Sequence, residues 1–261
     1  MSQIVTDAIV LHAFDYLESS RILRLVTRDG GVRSVLARGA RRSRSRFGAA
    51  LDLYAQGTAE LHIKPGRELD TLAGFDVTRA RHSLAGDLGR FAGASMLAEL
   101  TLRFARDVAD PGLFAAVEDA FDALGAAPPA RTRDVALGGA WRVLAELGVA
   151  PTIDGCAECH SEVAADAPAT FNHRAGGVLC ERCTPFARTG RVLPAPARAA
   201  LRAWLDARSY DIDDPGEIRA HQRLLREFLR EHLGDDRPLA AFAVWEQGTL
   251  EAGHSAPVAN P

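Results

Sequence analysis

"SRILRLVTRDGGVRSVLAR" (Ser20–Arg38) decides the fold. Two β-branched runs, Ser20–Thr27 and Val32–Arg38, flank the turn signal Asp29–Gly31, and this pattern predicts a β-hairpin. Upstream, "IVTDAIVLHAF" (Ile4–Phe14) is another strand. Downstream, "LDLYAQGTAELHI" (Leu51–Ile63) alternates like a long strand, "KPGRE" (Lys64–Glu68) turns the chain, and "LDTLAGFDV" (Leu69–Val77) follows. Five strands within residues 1–80 suit a small closed barrel, and the five-stranded barrel of this size is the OB-fold.

After Val77 the apolar period becomes helical. Helices are expected at Ser83–Val108, Asp110–Ala127 (Asp N-cap, Pro at the first helical position), Pro128–Gly148, Ala195–Arg208 and Gly216–Gly234. The expected class is α+β: an OB-fold β-barrel over 1–80, then an α-helical domain over 81–152 and 187–247. A cysteine module at 153–186 interrupts that domain, and 248–261 reads as a disordered tail.

The chain has 261 residues, 47% hydrophobic and 25% charged, values ordinary for a soluble globular protein. No apolar run reaches the ~18 residues of a membrane span. The N-terminus lacks the basic start and apolar core of a signal peptide. A cytoplasmic, nucleoid-associated protein with no membrane partner is expected.

The connection after the third strand is "RGARRSRSRFG" (Arg38–Gly48), with Arg38, Arg41, Arg42, Arg44 and Arg46 in nine residues. The whole chain has a net charge of −3, yet residues 1–80 carry 12 basic and 9 acidic residues, and no acid lies between Asp29 and Asp52. Part of the arginine content is compositional, since Lys64 is the sole lysine, and a solvated charged loop is the competing reading. Three features favour phosphate binding: the missing local acids, the small Gly, Ala and Ser residues between the arginines, and the barrel class. A guanidinium fork matches phosphate bidentately. Stacking platforms are few, with Phe14, Tyr16, Phe47, Tyr54 and Phe75 as candidates, which favours backbone-driven over base-specific binding.

All four cysteines fall in two CxxC knuckles, Cys156-x2-Cys159 and Cys180-x2-Cys183. This spacing predicts one Zn²⁺ held by four thiolates, a closed structural site. Two disulfides are disfavoured in a reducing compartment. His160-x-Glu162 followed by Cys180-x2-Cys183 resembles a zinc deaminase signature, but Leu179 stands where that signature has Pro, and Cys156 and Cys159 would be left idle. Phosphate-binding, metalloprotease and serine-nucleophile motifs are missing, so no enzyme activity is expected. Asp213-Asp214 and Asp235-Asp236 read as solvated caps, and Arg131, Arg133 and Arg142 as solvated helix positions or contacts for an acidic tail.

The residues that carry this reading also carry a resemblance. "VLARGARRSRSRFGAALDLYAQGTAELHI" (Val35–Ile63), "ELGVAPTIDGCAECH" (Glu146–His160), "GGVLCERC" (Gly176–Cys183) and "LLREFLREHLG" (Leu224–Gly234), in this order, resemble the RecO family of bacterial recombination mediators over nearly the whole chain. The resemblance implies binding of single- and double-stranded DNA, annealing of complementary strands and assistance in recombinase loading. It implies RecR and the C-terminal tail of single-strand-binding protein as partners. The family's basic loop maps onto Arg38, Arg41, Arg42 and Arg44, where relatives often carry lysine. Some members lack the cysteines, which makes the metal a scaffold feature. The alternatives are a zinc-ribbon protein-interaction adaptor and a zinc-dependent nucleobase deaminase.

Overall fold

The computed structural model describes residues 2–42, 45, 47, 51–63, 66, 69–232 and 238–251. The chain forms two compact units, Met1–Pro129 and Ala130–Pro261. The boundary falls inside the segment 81–152, so residues 81–129 belong with the barrel.

In the first unit, β1 (Ser2–Tyr16), β2 (Ser20–Thr27), β3 (Gly31–Ala37), β4 (Gln56–Ile63) and β5 (Asp70–Arg79) close into a barrel of order β1-β2-β3-β5-β4. Antiparallel pairing of β1 with β4 and a short parallel pairing of β3 with β5 (Val35↔Asp70, Leu36↔Thr71) complete the ring. This is the OB-fold. Alternation sends Val10, Leu23, Leu25, Val35, Leu61 and Leu72 inward, all fully buried. Each large side chain so buried contributes roughly 1.5–3 kcal/mol. Gly31 ends the β2–β3 turn at φ 68, and a Cβ there would lie 2.4 Å from the Val108 backbone. The turn therefore requires glycine twice over, for its left-handed backbone and for its close approach.

The strand expected over Leu51–Ile63 begins only at Gln56. Leu51 and Phe47 enter the barrel core instead. Tyr54, at φ 68, turns the chain toward β1: its N–H donates to the Val10 carbonyl (2.7 Å) and its ring packs edge-on against Phe121. The alternating L-D-L-Y pattern thus serves a buried turn. Likewise the long helix expected over Ser83–Val108 is two: α1 (His82–Ala85) and α2 (Leu88–Phe104), broken at Gly86 where Asp87 caps α2 through the Arg90 N–H. α3 (Pro111–Ala126) has the expected Asp110 cap. Buried Arg81 joins barrel to helix, donating to Asp122 (2.7 Å), Gln56 Oε1 (2.6 Å) and the Tyr54 carbonyl (3.1 Å).

In the second unit, α4 (Thr132–Glu146) precedes the three-stranded sheet of β6 (Ala169–Asn172), β7 (Gly177–Leu179) and β8 (Arg191–Leu193), ordered β7-β6-β8. α5 (Ala195–Leu205), α6 (Pro215–His232) and α7 (Ala240–Glu251) follow. Trp141 of α4 meets Phe228 of α6 edge-on at 5.3 Å. Gly138 lets α4 approach Trp204 of α5, since a Cβ there would lie 2.8 Å from the indole. α7 runs four residues into the segment read as a tail, and 252–261 lie outside the described residues. Among the described residues no helix is long and apolar enough to cross a membrane.

Candidate nucleic-acid interface and metal centre

The arginine stretch leaves β3 at the barrel rim. Gly39 (φ 71) starts a turn closed by Arg42 N–H to the Gly39 carbonyl, and the Arg41 N–H donates to the Ser19 carbonyl of the β1–β2 turn. At the far side Phe47 anchors the stretch in the core. Arg38 and Arg42 are exposed, with no ion pair among the described residues. Arg44 and Arg46 lie outside the described residues.

No acid lies near Arg41 in sequence, but the fold brings one to it. Its Nε lies 3.3 Å from Asp15 Oδ2, while Asp15 Oδ1 takes Arg21 Nε at 3.3 Å. Asp15 is 26 positions away in sequence, and the β1–β2 hairpin brings it back to the rim. Of the aromatic candidates, Phe47, Tyr54 and Phe75 are buried, whereas Phe14 and Tyr16 are exposed.

Arg131, Arg133 and Arg142 are engaged inside their own unit. Arg131 pairs with Asp134, Asp211 and Asp213, Arg142 pairs with Glu146 one turn on, and Arg133 donates to the Gly248 carbonyl. Asp214 caps α6 through the Gly216 and Glu217 N–H groups, and Asp235-Asp236 lie outside the described residues.

The four cysteines converge: their sulfurs all lie within 4.8 Å of one another. Each knuckle is a turn closed on its first cysteine. His160 N–H donates to the Cys156 carbonyl, with His160 at φ 58, and Cys183 and Thr184 N–H groups donate to the Cys180 carbonyl. The first knuckle is stitched beside β7 by Ala157 N–H to the Val178 carbonyl and Val178 N–H to the Thr152 carbonyl. Gly177 permits this, since a Cβ there would fall 2.2 Å from the Thr152 oxygen.

This geometry can hold a metal ion. Thiolates about 2.3 Å from one tetrahedral zinc would sit about 3.8 Å apart, and Cys159 Sγ and Cys180 Sγ are 3.6 Å apart. The electrostatics agree. Hydrogen bonding from Ser161 pulls the Cys159 and Cys180 thiols down, Cys180 to about 5, while Cys183 is pushed up to about 12, first through its hydrogen bond with Cys159. Four adjacent thiols cannot all ionise unaided, and a dication between them removes that conflict. His160 and Glu162 are exposed and outside the converging set.

Sequence reasoning missed Arg198. It is fully buried on α5 and clasps the segment around the first knuckle, with Nη1 donating to the Ala164 (2.6 Å) and Ala167 (2.7 Å) carbonyls and Nη2 to Ile153 (2.8 Å) and Val163 (3.3 Å). The available signal was an arginine three residues before Leu201, on the apolar stripe of an amphipathic helix.

Two family models divide the chain after the barrel, whereas the compact units divide at Pro129. The family model described as Recombination protein O N terminal matches residues 1–81, and Recombination protein O C terminal matches 85–239. DNA repair protein RecO of Anaeromyxobacter sp. (strain K) is 37% identical over 249 residues, covering 92% of this chain and 95% of that protein. DNA repair protein RecO of Myxococcus xanthus (strain DK1622) is 33% identical over 231 residues, covering 87% and 91%. That of Rubrobacter xylanophilus is 31% identical over 242 residues, covering 92% and 95%.

Proposed function

The chain belongs to the RecO family of DNA repair proteins, and from that membership we propose a non-enzymatic recombination mediator. It binds single- and double-stranded DNA through the barrel rim, anneals complementary strands, and assists recombinase loading with RecR and with the tail of single-strand-binding protein. The observation that supports this reading is the rim itself. Arg38 and Arg42 stand in solvent without carboxylate partners among the described residues, and Arg41 is held only by an exposed one. Phosphates that meet this cluster lose part of their mutual repulsion, which brings two strands together without nucleotide hydrolysis.

The four thiolates would hold one structural Zn²⁺. Bound there, zinc neutralises the cysteines and fixes the two knuckles; a closed four-sulfur shell offers no position for a reacting water. The idle-cysteine objection to the deaminase alternative is strengthened by the convergence of all four sulfurs.

The test is salt dependence. If five arginines engage single-stranded DNA, they contribute a log–log slope of about −3.5, or roughly 100-fold in affinity for a fourfold rise in salt. Changing Arg41, Arg42 and Arg44 to Ala should make the slope shallower by about 2 and slow annealing. Wild-type affinity and slope in that variant would mean a merely solvated charge run.

A further inference from the structure

β1 changes face at a bulge between Val10 and His12. Val10 points into the barrel core, and beyond the bulge Ala13 packs on it, paired with buried Leu23. The alternate positions His12, Phe14 and Tyr16 therefore stand on the outer face, spaced two residues apart along one strand. All three are exposed, Phe14 at 45% and Tyr16 at 40%. The His12 and Phe14 ring centroids are 5.8 Å apart.

The register extends this face across two more strands. His12 pairs with Arg24 and Arg24 with Ser34; Phe14 pairs with Ile22 and Ile22 with Leu36; Tyr16 pairs with Ser20. The row thus has half-buried Ile22 and Leu36 as an apolar floor beside its central ring, and small Ser20 beside its last. Arg24 lies at one end with its Nε unpartnered among the described residues, and exposed Arg38 follows β3 at the other. None of these outward strand positions is acidic. Asp15 faces the barrel rim instead, toward Arg21 and Arg41.

We propose that His12, Phe14 and Tyr16 form a base-stacking track for single-stranded nucleic acid, running along β1 between Arg24 and Arg38. The proposal rests on the reading that the barrel binds DNA, and adds to it the part that senses bases. Exposed rings in series on a strand face that carries no acid, with an arginine at each end, suit a polyanion with apolar faces better than a protein surface of mixed charge, and Asp15 and Asp52 border only the cleft beside Phe14. The His12–Phe14 ring spacing of 5.8 Å is wider than the about 3.4 Å rise of a stacked strand, so neighbouring bases must part from one another to lie on neighbouring rings. A strand extended along β1 can lay successive bases on successive rings, exchanging base–base for base–ring stacking. A duplex keeps its bases paired inside and cannot, so the track distinguishes single strands where the arginines, which see phosphates, do not.

The experiment compares a short oligothymidylate with an abasic strand of equal length, against wild-type protein and the variants Phe14→Ala, Tyr16→Ala and Arg38→Ala/Arg42→Ala. Each ring loss should weaken oligothymidylate binding about 10-fold. It should leave the salt slope and abasic-strand binding unchanged, since no phosphate contact is lost. The arginine variant should weaken both strands and flatten the slope. Phe14→Trp keeps a stacking surface, so it should bind like wild type and show emission quenching with oligothymidylate but not with the abasic strand. Equal affinity of wild type for the two strands, or equal weakening of both by the ring variants, would overturn the track. So would ring variants that alter only self-association or protein binding. If the ring variants bind normally while the arginine variant is weakened, the track is wrong and the DNA reading stands. If the arginine variant is also unchanged in affinity and slope, the DNA reading itself fails.

Discussion

Arg41 Nε and Asp15 Oδ2 lie 3.3 Å apart, so the arginine stretch is tethered by a carboxylate that shares its other oxygen with Arg21. Both partners are substantially exposed, at 40% for Arg41 and 54% for Asp15, and such a pair contributes little to folding. Its consequence falls on binding. Under the proposed function, a phosphate reaching Arg41 must displace Asp15 and then sit beside a released negative charge. Asp15→Asn should therefore raise affinity for single-stranded DNA about 2- to 5-fold at low salt, and less at high salt, with thermal stability nearly unchanged. Fluorescence anisotropy at two salt concentrations measures this. Weaker binding by the Asn variant would show that Asp15 orients Arg41 for DNA rather than competing for it.

The metal centre gives a stoichiometric prediction. Protein purified under reducing conditions should contain about one equivalent of zinc, whose apparent binding energy of about 10–16 kcal/mol is largely folding energy of the knuckle. Cys180→Ser, or a strong chelator, should remove the metal and loosen residues 153–186. The barrel belongs to the other compact unit, so its DNA affinity should persist. Elemental analysis below about half an equivalent would remove the structural-zinc reading.

What the sequence made legible was whatever local chemistry decides. The β2–β3 hairpin was readable because Asp29–Gly31 admits few other backbones, and the knuckles because CxxC spacing has a metal-binding meaning of its own. Leu51–Ala55 was misread because strand alternation and a buried turn can share the pattern L-D-L-Y; the choice is made by Val10 and Phe121, residues remote in sequence. The Asp15–Arg41 pair was invisible for the same reason, since an acid-free window says nothing about what barrel closure returns to it. His12, Phe14 and Tyr16 had the two-residue spacing of one strand face, yet which face is outward depends on the bulge after Val10.

Arg198 supplies a prediction for the second unit. Its guanidinium binds four carbonyls in a buried setting, and removing it leaves those acceptors without their partner. Arg198→Met should lower the unit's stability by about 3–5 kcal/mol, and Arg198→Lys by less, because an ammonium still offers three donors. All three tryptophans, Trp141, Trp204 and Trp245, lie beyond residue 130. Tryptophan emission during urea unfolding therefore follows this unit rather than the barrel. A Met variant within about 0.5 kcal/mol of wild type would mean that the segment around the first knuckle finds other donors without cost.

A pH dependence follows from His221 on α6. The ring is 2% exposed, packs edge-on against Trp204 at 5.0 Å, and finds no hydrogen-bond partner for either nitrogen among the described residues. Burial disfavours its charged form and pulls its pKa from 6.5 down to about 4. The folded state therefore binds this proton less readily than the unfolded state. The group's contribution is fully present above about pH 6.5 and is lost as pH falls toward 4, where the loss reaches about 3 kcal/mol. His221→Phe keeps a ring against Trp204 and has no proton to bind. Tryptophan-monitored melts should show the wild-type protein losing stability between pH 6.5 and 4 more steeply than the Phe variant, with the two curves differing least in shape above pH 7. Parallel curves across that window would assign the acid sensitivity of this unit to other groups.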